Sequence, residues 1–201
     1  MIGPFTEIQL DLLREVSNIG SGHAATALSQ LLNRRILLNV PRVQVLPIAQ
    51  VPDVVGGPET PVAGLYFRIF GQASGGILIL LPQDSALSLV RDVMKQEIAV
   101  GPSLRDIEAS ALKEVGNILA GSYLNAIAQM LGLVLLPSVP GLALDMAGAV
   151  LDTLLIELSS QGDTALLIET EFLSENTITG HFFLLPDPES LNLILTILHR
   201  P

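Results

Sequence analysis

The sequence predicts an α/β fold: a single duplicated domain with pseudo-two-fold symmetry, its largely antiparallel central sheet carrying two long equivalent helices. Three observations predict it. One short segment recurs in the second half of the chain at a fixed offset. Each copy sits within a long helix-period pattern. Each is then followed by short aliphatic runs separated by turn residues.

The repeat comes first because it decides the architecture. Leu12-Leu13-Arg14-Glu15-Val16-Ser17-Asn18-Ile19-Gly20-Ser21-Gly22 aligns with Ala111-Leu112-Lys113-Glu114-Val115-Gly116-Asn117-Ile118-Leu119-Ala120-Gly121, six positions being identical at an offset of 99 residues. Pro41 and Pro140 keep that offset. Leu80-Leu81-Pro82 resembles Leu184-Leu185-Pro186 at an offset of 104, so a few residues are inserted in the second half. Two copies describe a duplicated unit rather than a solenoid. No linker separates them, which gives one domain over residues 1–201 with internal repeats at about 5–100 and 104–200.

The opening helices are expected over Glu7–Leu32 and Leu104–Leu131. Leu12, Val16, Ile19 and Leu112, Val115, Leu119 are spaced for an apolar face, and Ser103 is placed to cap the second helix. Leu65–Phe70 and Gly76–Leu81 read as strands, as do Ala165–Phe172 and Thr177–Leu185. Gly71-Gln72-Ala73-Ser74-Gly75 and Ser174-Glu175-Asn176 read as hairpin turns. Pro82 and Pro186 end strands and lead into short helices over Ser85–Lys95 and Glu189–His199. Val51–Pro61 reads as a surface loop, and Asp145–Leu158 as a helix.

Composition narrows the function. With 201 residues, 49% hydrophobic and 15% charged, and a mean hydropathy of +0.56, the chain has ample material for a core and disorder is excluded. The net charge of −10 falls mostly on residues 101–201, which hold 3 basic and 12 acidic side chains. Phosphate backbones and anionic lipid repel such a surface, so nucleic-acid binding is not expected. There is no cysteine, and His23, His181 and His199 lie far apart, so no metal or cofactor of its own is expected. Val115–Leu144 runs 30 residues without a charge, but Asn117, Asn125, Gln129, Pro137 and Pro140 interrupt it. It reads as a buried helix followed by a strand in a cytoplasmic protein, with no membrane insertion.

The two opening helices each carry a polar stripe. Asp11, Glu15, Asn18 and Gly22 follow i, i+4, i+7, i+11 spacing, and Ser110, Glu114, Asn117 and Gly121 repeat it. Both stripes are expected to face solvent, opposite the apolar residues. A solvated polar face is ordinary on an amphipathic helix, and one stripe alone fits that description. Asn, however, is a weak mid-helix residue, costing about 0.5 kcal/mol against Ala, and it recurs at the equivalent position in both copies. A carboxamide is neither a general base nor a nucleophile. It accepts and donates hydrogen bonds, so it can hold a water in a chosen direction. That suits phosphoryl transfer, where positioning and electrostatics supply most of the catalysis. Glu would repel a phosphate, and so is placed to dock a basic side chain of a partner.

The spacing Asp11-x3-Glu15-x2-Asn18-x22-Pro41 recurs as Ser110-x3-Glu114-x2-Asn117-x22-Pro140. It resembles the signature of the CheC/CheX/FliY phosphatases of bacterial and archaeal chemotaxis, and its two copies resemble the CheC branch. The resemblance implies an aspartyl-phosphate protein phosphatase acting on the phosphorylated response regulator CheY. Asn18 and Asn117 would orient the attacking water, and Glu15 and Glu114 would pair with a regulator lysine. Asp11, Ser110, Pro41 and Pro140 would support the helices and the turn into the first strand. The magnesium would be the regulator's own. The resemblance also implies binding of the receptor deamidase CheD, for which Asp145–Asp152 is the first segment to consider. Ser17 stands where the family commonly has glycine, and His23 where it often has Asn; His23 reads as a helix-surface side chain. The rival reading is a non-catalytic regulator-docking or flagellar-switch module, FliY/FliN-like, which needs the Glu residues but not a water-orienting amide.

Overall fold

In the computed structural model, residues 6–33, 35–95, 104–157, 164–173 and 178–198 are described. In chain order the elements are α1 (Glu7–Leu32), β1 (Leu37–Pro47), a 3-10 turn at Ile48–Gln50, α2 (Val51–Val54), β2 (Pro61–Gly71), β3 (Gly75–Pro82) and α3 (Gln83–Met94). The second half holds α4 (Asp106–Leu131), β4 (Leu135–Pro137), β5 (Gly141–Met146), α5 (Ala147–Glu157), β6 (Thr164–Leu173), β7 (Ile178–Pro186) and α6 (Pro188–Leu198).

Both opening helices form where their sequence can satisfy the free N–H groups of the first turn. The Thr6 hydroxyl accepts from the Gln9 N–H at 3.3 Å, and the Thr6 N–H donates to the Gln9 side-chain carbonyl at 2.8 Å, a reciprocal capping box. The second helix begins two residues later than expected, behind Arg105 rather than Ser103, which lies outside the described residues. There the Arg105 N–H donates to Glu108 Oε2 at 2.8 Å, and its guanidinium grips Oε1. Each helix is 26 residues long and ends on a left-handed residue, Asn33 in α1 and Gly132 in α4.

The strands form one sheet, ordered β1-β6-β7-β3-β2-β4, with β5 also paired to β2, and every pairing is antiparallel. Exchange β1, β2 and β3 for β4/β5, β6 and β7, and the order reads the same from the opposite edge. The edge strand of each half pairs with the other half: β1 lies on β6, and β4 and β5 lie on β2.

Alternation along β2 separates two cores. Ala63, Leu65, Phe67 and Ile69 join residues of α1, α3 and α4 in the larger one. Val62 joins Leu78, Leu80, Phe183 and Leu185 in the smaller, capped by Val51, Val55, Val150 and Leu151. The helix α5 lies so close to β2 that a Cβ at Gly64 would come within 2.6 Å of Val150.

Several expectations need correction. Val51–Pro61 is not simply a loop: Val51 and Pro52 are buried in a one-turn helix. Asp145 and Met146 belong to β5, opposite Val62 and Pro61, so the helix that follows begins at Ala147. The short helices start earlier than expected, at Gln83 and Pro188. Leu12 and Ile19, assigned to the apolar face of α1, are 39% and 46% exposed. The β2–β3 turn is as expected, with Gly71 and Gly75 at φ +128° and +148°. The second turn, Ser174-Glu175-Asn176, lies outside the described residues, as do Leu158 and His199.

Candidate functional site

The stripes are exposed because the opposite face of each helix is committed to packing. On α1 the buried residues are Gln9, Leu13, Val16, Ser17, Gly20, Ser21, Ala24, Leu28 and Leu32. That leaves Asp11, Glu15, Asn18 and Gly22 at the surface. On α4, burial of Leu112, Val115, Gly116, Leu119, Ala120 and Tyr123 leaves Ser110, Glu114 and Asn117 exposed and Gly121 half-buried. His23 is exposed beside the first stripe.

Close packing fixes both helices. A Cβ on Gly20 would lie 3.1 Å from the Tyr123 backbone and ring, so α1 meets α4 there with no room to spare. Tyr123 in turn stacks on Phe182 of β7, ring centroids 4.6 Å apart. A Cβ on Gly116 would lie 3.0 Å from Leu65 and 3.2 Å from Phe67, which presses α4 onto β2 one residue before Asn117. The equivalent residue of α1, Ser17, is buried, and its hydroxyl donates to the Leu13 carbonyl at 2.7 Å. A small side chain satisfied within its own helix does there what glycine does in α4.

The four leading residues differ from their supports in one respect. Asp11 is held by Arg14 in an ion pair of 2.8 Å, and Ser110 donates to the Asp106 carbonyl at 2.8 Å. Glu15, Asn18, Glu114 and Asn117 have no side-chain hydrogen bond or ion pair among the described residues. Two carboxylates and two carboxamides are thus presented to solvent on rigid helices, with all their bonding capacity unspent.

The two prolines do not shape a turn into the first strand. Pro41 lies inside β1, at the break in register between Asn39 and Arg42. Pro140 lies between β4 and β5, where the same edge is interrupted in the second half. Proline cannot donate to a ladder, so each marks the point where its edge strand is broken. Among the described residues, no group of three or more His, Asp or Glu is placed to hold a metal ion.

A model of the CheC-like family matches residues 8–45 and 107–143, and each matched stretch contains one stripe and its proline. The CheY-P phosphatase CheC of Bacillus subtilis is 39% identical over 203 residues, covering 96% of this chain and 94% of that protein. The chain belongs to the CheC-like family. The fold agrees: Thermotoga maritima FliY superposes with a TM-score of 0.77 at 18% identity, over 96% of this chain and 97% of that one. A chain of the Borrelia burgdorferi CheX–CheY–BeF3–Mg complex gives 0.52 at 17% identity, over 83% of this chain and 95% of its own. No helix among the described residues is long and apolar enough to cross a membrane.

Proposed function

We propose that this CheC-like chain is a phosphatase of the phosphorylated response regulator CheY, with a catalytic centre on each opening helix. The observation that carries the reading is the pair of exposed Glu-x2-Asn stripes whose carboxylates and amides have no partner among the described residues. The name of its B. subtilis relative, a CheY-P phosphatase, supports the same substrate.

In this mechanism Glu15 or Glu114 pairs with a lysine of the regulator and sets the helix against its active site. Asn18 or Asn117, three residues on, enters beside the acyl phosphate and holds a water in line with the bond to be broken. The water attacks phosphorus, the bond to the aspartate oxygen breaks, and inorganic phosphate leaves with the carboxylate regenerated. The regulator supplies the cationic charge and the magnesium; this chain supplies orientation, which is the larger part of the catalysis in phosphoryl transfer. The reaction is cytoplasmic, Asp11 and Ser110 act as supports of the two helices, and Pro41 and Pro140 mark the breaks in the edge strands. The two centres belong to a duplicated domain, one in each repeat.

Binding of the deamidase CheD is part of the same proposal. The junction of β5 and α5, where Asp145, Ala149 and Asp152 are exposed, is the surface to test for it. Charge reversal there, Asp145→Lys with Asp152→Lys, weakens CheD binding and leaves unassisted hydrolysis unchanged; unaltered CheD affinity would exclude that surface. For the phosphatase reading the test is the decay rate of phosphorylated CheY with and without the chain. Acceleration supports it, and unchanged decay despite measurable binding favours the docking-module reading.

A further inference from the structure

Glycine is the costliest ordinary residue inside an exposed helix, and each one calls for a packing or functional reason. Gly20 and Gly116 have packing reasons, since neighbouring atoms already occupy the space a Cβ needs. Gly22 and Gly121 have none among the described residues. Apart from the adjoining backbone of its own helix, a Cβ on either meets no described atom within 4 Å, and neither has the positive φ that favours glycine. Each lies one helical turn beyond the Asn of its stripe, on the same line. Gly22 also heads an open groove lined by Ala25, Thr26, Ser29 and Asn33 that runs toward β1.

We propose that Gly22 and Gly121 are clearance positions for the docked regulator, an inference that rests on the phosphatase reading. The regulator's backbone comes to van der Waals distance of the helix at these points, and the missing Cβ lets the Asn one turn earlier reach the acyl phosphate. They are positioning residues and take no part in the chemistry.

The test uses opposite signs for stability and activity. Gly22→Ala and Gly22→Leu are made in an Asn117→Ala background, which leaves only the first centre. Gly121→Ala and Gly121→Leu are made in an Asn18→Ala background, which leaves only the second. Ala and Leu have similar helix propensities, both well above glycine, so each substitution raises the melting temperature by about 2–4 °C. The account expects kcat/KM for decay of phosphorylated CheY to fall about tenfold with Ala and about a hundredfold with Leu. Thr196→Ala, exposed on α6, leaves it unchanged. Full activity in both Leu variants, alongside an active and Asn-dependent wild type, overturns the clearance role alone. A loss accompanied by a lower melting temperature overturns it as well, since the added side chain then meets the chain's own atoms. A wild type without effect on decay overturns the phosphatase reading, and the clearance role with it.

Discussion

At the scale of single residues, Glu15, Asn18, Glu114 and Asn117 are exposed and have no side-chain hydrogen bond or ion pair among the described residues. Asn18→Ala with Asn117→Ala is expected to abolish hydrolysis and leave the fold intact, because both side chains are exposed. A hundredfold loss at each centre corresponds to about 2.7 kcal/mol of transition-state stabilisation. Thermal melts are the control, and Ala at two mid-helix Asn positions holds or slightly raises the midpoint. Glu15→Lys with Glu114→Lys reverses the docking charge, and titration calorimetry against CheY should show weakened binding with a smaller change in turnover at saturation. Binding that survives unchanged contradicts the lysine-pairing role. These residues were legible in the sequence because their spacing repeats. The orientation of α1 was only partly so: Leu12 and Ile19 are exposed, while the more polar Ser17 and Ser21 are buried. Alongside Leu13, Val16, Leu28 and Leu32, the packed face holds the small residues Ser17, Gly20, Ser21 and Ala24, and at Gly20 α4 leaves no room for a side chain, so hydrophobicity alone pointed partly outward.

At the scale of elements, β3 follows from an aliphatic run long enough to be covered on both faces, β2 from a segment alternating at Arg68, and β7 from its likeness to β3, and these were plain in the sequence. The one-turn α2 was not, since four residues carry no periodicity, and Val51 and Pro52 are buried by tertiary packing rather than local preference. The seating of α4 on β2 gives a direct test. Gly116→Val forces a side chain against Leu65 and Phe67 and should cost about 1–3 kcal/mol in a denaturant melt. It should also impair the Asn117 centre more than the Asn18 centre, read in the corresponding single-Asn backgrounds. Beside the β2–β3 turn, Asp187 caps α6: its carboxylate accepts from the Ser190 N–H at 2.7 Å and from the Ser74 hydroxyl. Asp187→Ala should therefore cost about 1 kcal/mol.

At the scale of the whole molecule, two carboxylates tie acid stability to the fold. Glu108 is held below its usual value of 4.5, chiefly by the hydrogen bond from the Arg105 side chain. Burial alone would raise Asp187 above 3.8, but its bonds from Ser74 and Ser190 outweigh burial and lower it. Groups depressed in the folded state stabilise it above their unfolded values and lose that contribution as pH falls through the folded ones. The melting midpoint should thus decline as pH drops below about 4.5, and Glu108→Gln with Asp187→Asn should flatten that decline. An equal slope in the variant would mean other carboxylates set it.

The sheet order reads alike from both edges, and the edge strand of each half crosses onto the other. On the proposed reading this one body carries two centres. The most direct measurement of the central claim is the decay rate of phosphorylated CheY, compared among buffer, the wild-type chain and the Asn18→Ala/Asn117→Ala variant. The account predicts faster decay with the wild type and the buffer rate with a variant that still binds the regulator. Equal acceleration by both proteins would contradict it.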